Sequence, residues 1–343
     1  MLMKKPLIGL TMAELRNVAA ECGLPSFAAK QIARRLYVNR ATSIDEMTEL
    51  SKRGRQALDE HYCIGLQVPK AAAKSADGTI KYLFEGAGGR DVEAVYIPDR
   101  DRATLCISSQ AGCRMGCTFC MTGRQGFHGN LAAWQILNQI MSIPESEQLT
   151  NIVFMGMGEP MDNLDAVLQV IEILTAPWGM AWSPKRITVS SIGKVKELRE
   201  LLNRTKVHIA ISVHSPFSDE RAGLMPVERA WPLTQVLELL REYDFAHQRR
   251  LTLEYIIWHR INDDMRHADA LARLLRGFDV RVNLIRYHAL PDTPHLQPAP
   301  ESAMVAFRDR LNSLGITATI RASRGEDIQA ACGMLAGKAK QQK

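Results

Sequence analysis

From residue 103 onward the chain repeats one grammar: a short apolar or β-branched run, a loop, then an amphipathic stretch, at intervals of about thirty residues. The runs fall at 103–108, 151–155, 186–190, 207–213, 251–257 and 280–285. Between them, 131–141, 164–174, 195–202, 232–243 and 265–275 carry apolar residues at helical spacing. Strands joined by helices run parallel, and parallel strands are buried on both faces, which is why these runs lack polar alternation. This predicts an α/β fold. Six βα units are two short of a full eight-unit barrel, so the expectation is a partial (βα)6 barrel open on one side. A last helix at 303–314 leads to 316–321, read as an added strand. The stretch 290–300, with four prolines and no periodicity, reads as a loop placed to act as a lid.

The first seventy residues lack strand patterning. Apolar residues three and four apart predict helices at 12–22, 27–37 and 44–62, with Thr11 and Ser26 as caps. Runs at 79–84 and 92–97 flank Gly86-Ala-Gly-Gly89 and read as a hairpin. The expected organisation is a helical accessory domain at 1–70, a connecting β segment at 71–102, the barrel with a C-terminal cysteine segment at 103–337, and a basic tail at 338–343.

With 46% hydrophobic and 23% charged residues the 343-residue chain is globular rather than disordered. No run approaches the roughly 18 apolar residues of a membrane span. The start, MLMKKPLIGL, is basic but too short in its apolar part for a signal peptide. The expectation is a cytoplasmic protein. Its charge is uneven: residues 1–70 hold eleven Lys/Arg against seven Asp/Glu, and 321–343 five against two. Basic ends around a near-neutral middle suit either an anionic partner such as nucleic acid or a solvated surface. In the N-terminal part Lys30, Arg34, Arg35 and Arg40 gather around one helix, followed by Lys52, Arg53 and Arg55.

In such folds the chemistry sits at the carboxyl ends of the strands. Four of seven cysteines follow or end the first strand: Cys106, Cys113, Cys117 and Cys120. After the second comes Gly156-Met-Gly-Glu-Pro160, after the third Ser190-Ser-Ile-Gly193, after the fourth His214-Ser-Pro216, and after the sixth Arg286-Tyr-His288. An odd number of clustered cysteines suits metal binding or redox chemistry better than a disulfide scaffold. Three thiolates from one loop can ligate three irons of a cubane cluster and leave the fourth iron for a small-molecule chelate. The alternative is a closed zinc site completed by His128.

Cys113-x3-Cys117-x2-Cys120 on the first loop of a partial barrel, with a Gly-Glu motif after the second strand, resembles the radical S-adenosylmethionine superfamily. Further segments are similar to the RlmN/Cfr family of RNA adenine methyltransferases: Val92-Glu-Ala-Val-Tyr-Ile-Pro98, Arg102-Ala-Thr-Leu-Cys106-Ile-Ser-Ser-Gln110, Gln125-Gly126-Phe127 and Arg324-Gly-Glu-Asp-Ile-Gln-Ala-Ala-Cys332-Gly333. The likeness spans nearly the whole chain. Three positions depart from the family pattern: Met121 where a small residue is common, His128-Gly129 where Asn-Arg is frequent, and His288 where asparagine is common.

The resemblance implies that Cys113, Cys117 and Cys120 hold a 4Fe-4S cluster whose open iron binds S-adenosyl-L-methionine. It implies cofactor contacts from Gly158, Glu159, Ser190, Ser212, Val213, His214 and His288. It further implies that Cys332 accepts a methyl group, that Cys106 releases the product through a disulfide with Cys332, and that Glu93 accepts a proton. The implied reaction is methylation of adenine carbon 2 in 23S rRNA and in certain tRNA species. The cluster's electrons would come from a flavodoxin- or ferredoxin-like donor, and the chain would act as a monomer. RNA would be held by the basic N-terminal helices together with Arg324, Lys338, Lys340 and Lys343. Methylation at carbon 8, as by Cfr, uses the same cysteines; a zinc-stabilised RNA-binding protein without catalysis is the reading from another class.

Overall fold

The computed structural model describes residues 4–247, 249–290 and 293–336; the expected tail at 338–343, with Lys338, Lys340 and Lys343, lies outside the described residues. Ten strands form one sheet in the spatial order Thr317–Ile320, Val280–Arg286, Leu251–Ile257, His208–Ser212, Ile187–Ser191, Asn151–Phe154, Arg102–Cys106, Asp91–Asp99, Ile80–Glu85 and Ala71–Lys74. The seven from Arg102–Cys106 to Thr317–Ile320 are parallel, each beside its predecessor in the chain. The other three pair antiparallel and extend the sheet beyond the first parallel strand. Helices Ala133–Met141, Leu164–Thr175, Val195–Arg204, Leu233–Arg241, Met265–Leu274 and Glu301–Ser313 alternate with the parallel strands, as a right-handed βαβ chain requires. Among the described residues no ladder joins Thr317–Ile320 to Arg102–Cys106, yet loops following strands across the parallel set line one cavity. The sheet is therefore curled and open, and the added strand makes a seventh.

What spans the open side is the segment after Thr317–Ile320. Gly325 N donates to Asp77 (3.0 Å), Ser75 Oγ to Asp327 (2.6 Å) and Ala336 N to Glu93 (2.7 Å), all on the antiparallel extension. Met121 N donates to the Gly333 carbonyl (2.8 Å), and Thr122 Oγ1 to that of Leu335 (2.8 Å). Residues 321–336 thus form a strap from one end of the sheet to the other, with Cys332 within it. Arg324, expected on RNA, lies beside Asp99 at 3.4 Å.

Several local expectations are corrected. Thr11 caps Met12–Glu21 in a reciprocal box with Glu14, but Ser26 caps nothing: Ala28 N bonds the Pro25 carbonyl, and the turn itself starts Ala28–Ala33. The pattern at 44–62 is two pieces, Ile44–Glu46 and Lys52–His61, because Ser51 Oγ takes the Gly54 N–H (3.1 Å) and starts a new helix. The N-terminal region also holds a two-residue parallel ladder, Lys5–Pro6 with Tyr62–Cys63. Ala71–Lys74 and the hairpin of Gln110–Gly112 with Phe127–Asn130 are too short for a period-two signal. Of the expected lid at 290–300, residues 291–292 lie outside the described residues; in the remainder Leu296 is 2% exposed, and His259 N bonds the Gln297 carbonyl (2.8 Å).

The N-terminal helices are fastened to the barrel. Arg40 Nη1 donates to Ser146 Oγ (2.5 Å), Gln169 Nε2 to the Gly9 carbonyl (2.7 Å), and Tyr37 packs at 5.9 Å against Trp178. Any side chain at Gly9 would meet the Trp134 backbone at 2.5 Å, so glycine sets how closely the two parts approach.

Candidate active site

The loop after Arg102–Cys106 is held open as a platform. Gly112, at φ +72°, packs so close that a Cβ would lie 1.9 Å from the Gly126 carbonyl, and that carbonyl accepts the Cys113 N–H (2.9 Å). The far side is fixed by Thr118 N donating to the Leu224 carbonyl (3.0 Å). Beneath it, Phe119 packs against Trp258 (5.1 Å) and edge-on to His214 (4.8 Å). Cys113, Cys117 and Cys120 consequently face one cavity, whose wall also holds Gly158, Glu159, Ser190, Ser212, His214 and Cys332.

The Gly-Glu turn is built by Gln110, which accepts from Glu159 N (2.8 Å) and donates to Asn130 (2.8 Å). Gly158 has φ +98°, and a Cβ there would lie 2.5 Å from Gln110. The buried Glu159 carboxylate accepts from Ser191 Oγ (2.8 Å), Ile192 N (3.1 Å) and Met161 N (3.1 Å). Burial outweighs those donors and raises its pKa to about 7, so a cation brought to it would favour the carboxylate. His214 has φ +61°, and its Nδ1 accepts the Ile256 N–H (3.0 Å), which leaves the proton on Nε2. Burial lowers its pKa to about 3, so the ring is neutral near pH 7.

The segment carrying Ser212 and His214 is anchored by Arg221, fully buried and paired with Glu228. Its guanidinium donates to the carbonyls of Ser212 (2.9 Å) and Val213 (3.1 Å). Val213 itself is wholly buried behind the wall. His288 is not brought to the cavity either: its Nε2 lies 2.6 Å from Ser323 Oγ and its Nδ1 3.2 Å from Glu326, so it secures the strap.

Cys332 is exposed and opens to the cavity, and desolvation by the surrounding protein raises its pKa. Cys106 lies deeper. Burial pushes its thiol up to about 12, with Cys332 close enough to add repulsion and Arg321 opposing. All seven cysteines are free thiols. Glu93 is 1% exposed and off the cavity wall: one carboxylate oxygen meets Lys81 Nζ (2.9 Å), the other the Ala336 N–H (2.7 Å). Sequence reasoning missed Gln110, Ser191, Arg221, Glu254 and Arg321. Arg321, 3.6 Å from Glu254, follows the strand-end rule used for the others, directly after the added strand, whereas Glu254 sits inside Leu251–Ile257, where that rule gives no signal.

The donor set fits an iron–sulfur cluster. Burial pushes Cys113 to about 12 and raises Cys117 well above the usual thiol range, so thiolate ligation here draws on metal cations. Among the described residues no three His, Cys, Asp or Glu side chains converge on a single ion, as a zinc site would need. His128, the fourth ligand of that alternative, has Nε2 on the Gln125 carbonyl at 3.1 Å.

Comparison with known proteins gives two family models. The radical SAM superfamily matches residues 107–272, and the ribosomal RNA large subunit methyltransferase N-terminal domain matches 5–64. A probable dual-specificity RNA methyltransferase RlmN from Parabacteroides distasonis is 56% identical over 97% of this chain and 96% of its own length. A dual-specificity RNA methyltransferase RlmN from Syntrophus aciditrophicus is 40% identical over 97% of each. A solved radical SAM methyltransferase from Sphaerobacter thermophilus superposes with TM-score 0.90 at 37% identity, covering 97% of this chain and 100% of that one.

Proposed function

The chain belongs to the RlmN family of radical S-adenosylmethionine RNA methyltransferases, and from that premise we propose that it methylates carbon 2 of an adenine in 23S rRNA, and in tRNA, through a methylated cysteine. The observation that carries this reading is one cavity wall shared by three cysteines of one loop, the Gly158-Glu159 turn and Cys332 from a distant segment.

Cys113, Cys117 and Cys120 would hold the 4Fe-4S cluster, which when bound supplies the electron that cleaves S-adenosylmethionine to a 5′-deoxyadenosyl radical. Glu159 receives the methionyl ammonium, its carboxylate already oriented by three donors. Neutral His214 presents Nε2–H as a donor, and Ser190 and Ser212 offer hydroxyls from neighbouring strand ends. Adenine carbon 2 carries no acidic proton, so polar methyl transfer to it is closed: the Cys332 thiolate takes a methyl from one S-adenosylmethionine, which leaves as S-adenosylhomocysteine, and the radical from a second molecule takes a hydrogen atom from that methyl, so that its carbon bonds to the ring. Arg321, whose field opposes proton retention on Cys332 and Cys106, favours the thiolate that must attack. Once the adduct has given up its surplus electron and its ring proton, the Cys106 thiolate attacks the Cys332 sulfur; the carbon–sulfur bond breaks with its electron pair going to carbon, which takes a proton to become the product methyl, and an external reductant restores both thiols. Glu93 accepts the ring proton, which requires its bond to Ala336 to open. Val213 and His288 act from behind the wall, by holding the backbone of their segments.

In this reading the donor of electrons is flavodoxin- or ferredoxin-like, and the protein works as a cytoplasmic monomer. Among the described residues no helix is long and apolar enough to cross a membrane. The test is anaerobic reconstitution, then incubation with reductant, ribosomal RNA fragments and methyl-labelled S-adenosylmethionine, with product nucleosides identified by mass against standards. We expect 2-methyladenosine, absent with Cys106→Ala and Cys332→Ala. An 8-methyl product would move the site of attack, and 5′-deoxyadenosine without any methylated base would overturn RNA as substrate.

A further inference from the structure

A second cavity, of about 430 Å3, lies at the seam between the N-terminal helices and the barrel, within the roughly 300–1,000 Å3 of small-ligand clefts. Its walls include Arg16, Lys30 and Arg34 on one side and Trp178 on the other, with no carboxylate among the lining residues. Neighbouring cations of the same domain are spoken for: Arg35 by Glu49 (2.5 Å), Lys4 by Asp59 (2.8 Å) and Arg40 by Ser146. Arg16, Lys30 and Arg34 are exposed and make no ion pair among the described residues. Three like charges facing one cleft repel each other unless an anion joins them. Trp178 is only half-buried, and its indole is held from behind by Tyr37, whose hydroxyl donates to the Leu10 carbonyl (2.6 Å). A fixed aromatic face opposite converging cations is how proteins seize an unstacked nucleotide: the base stacks and the phosphates meet the cations.

We propose that this seam pocket binds one unstacked nucleotide of an RNA strand, its base on the Trp178 indole and its phosphates on Arg16, Lys30 and Arg34. The inference rests on the RNA-modifying reading above and adds a second contact, separate from the methylation cavity. Because the pocket has one wall on each part of the protein, an occupying nucleotide would fix the register of the strand relative to the reaction centre.

The test uses the intact holoenzyme and a fluorescent oligouridylate, with affinity measured by anisotropy at several salt concentrations. Trp178→Leu should weaken binding roughly 5- to 150-fold, the range of one base stack, without changing the salt slope. Trp178→Phe should restore most of the loss. Replacing Arg16, Lys30 and Arg34 by Gln should make the slope of log affinity against log salt shallower by about 2, at about 0.7 per phosphate contact on single strands. Wild-type binding untouched by Trp178→Leu, or a slope unmoved by the triple change, overturns the pocket alone. Wild-type protein that binds no RNA overturns the reading beneath it. Competition by polyglutamate that depends equally on Trp178 would assign the pocket to an acidic protein and overturn the proposal.

Discussion

Arg221→Met removes the cation from a pair in which neither partner meets water: Arg221 is 0% exposed and Glu228 4%. The variant strands the Glu228 carboxylate with only Ser218 Oγ (2.8 Å) and Leu233 N (3.0 Å). It also takes the donor from the Ser212 and Val213 carbonyls. Breaking a buried pair from one side costs about 3–5 kcal/mol. Taking about 2.1 cal/mol/K of unfolding entropy per residue, 343 residues give about 0.7 kcal/mol/K, so Tm should fall by about 4–7 °C. The double variant Arg221→Met, Glu228→Leu should recover most of that, because no charge is left unpaired. Calorimetric melting of the cluster-free protein measures both. S-adenosylmethionine affinity, measured on cluster-loaded protein, should stay weak in the double variant, since the two carbonyls still lack their donor. A single variant within 1 °C of wild type, or a double variant no more stable than the single, would refute the reasoning.

Gly158→Ala should cost roughly 1–3 kcal/mol from its positive φ, with more from the clash at Gln110, and should lower both the urea midpoint and the iron retained after reconstitution. Gln139→Leu strips Ser108 of partners for its N–H and its carbonyl (both 2.9 Å); at about 1–3 kcal/mol per orphaned group, the urea midpoint should fall clearly while the m-value holds. Burial lowers the pKa of His208 to about 4 and of His214 to about 3, against 6.5 for ordinary histidine. The unfolded chain therefore binds protons first, so both contributions to stability are intact above about 6.5 and are lost as pH falls through the folded values. His208→Gln should flatten that slope between about pH 6.5 and 4 in urea titrations.

The barrel strands were legible because parallel strands buried on both faces leave unbroken apolar runs, as at 251–257, which the structure reproduces as Leu251–Ile257. The site was legible where one rule held, that chemistry follows a strand's carboxyl end: the cysteine loop, Glu159, Ser212 and His214 all obey it. It reads less directly where placement depends on distant chain. Val213 follows the rule in sequence, yet Arg221 on the unanticipated helix Ser218–Leu224 draws its carbonyl inward. His288 follows it too, but Ser323 and Glu326 capture the ring. Gln110 could not be singled out, because its role exists only once Asn130 and Glu159 stand on either side of it.

The strap has a further consequence for the order in which the molecule comes together. Its bonds to Ser75, Asp77, Thr122 and Glu93 join residues separated by 252, 248, 213 and 243 positions, long loops for the chain to close. Long closures cost entropy and are rewarded only after the intervening units have formed, so the strap is the last part to settle. None of these bonds belongs to a strand ladder. Parting these bonds therefore opens none of the strand ladders. In the proposed cycle the Cys332 thiol is methylated, linked to a base, oxidised and released, and it is mounted on a stretch of wall that these bonds hold without any strand ladder.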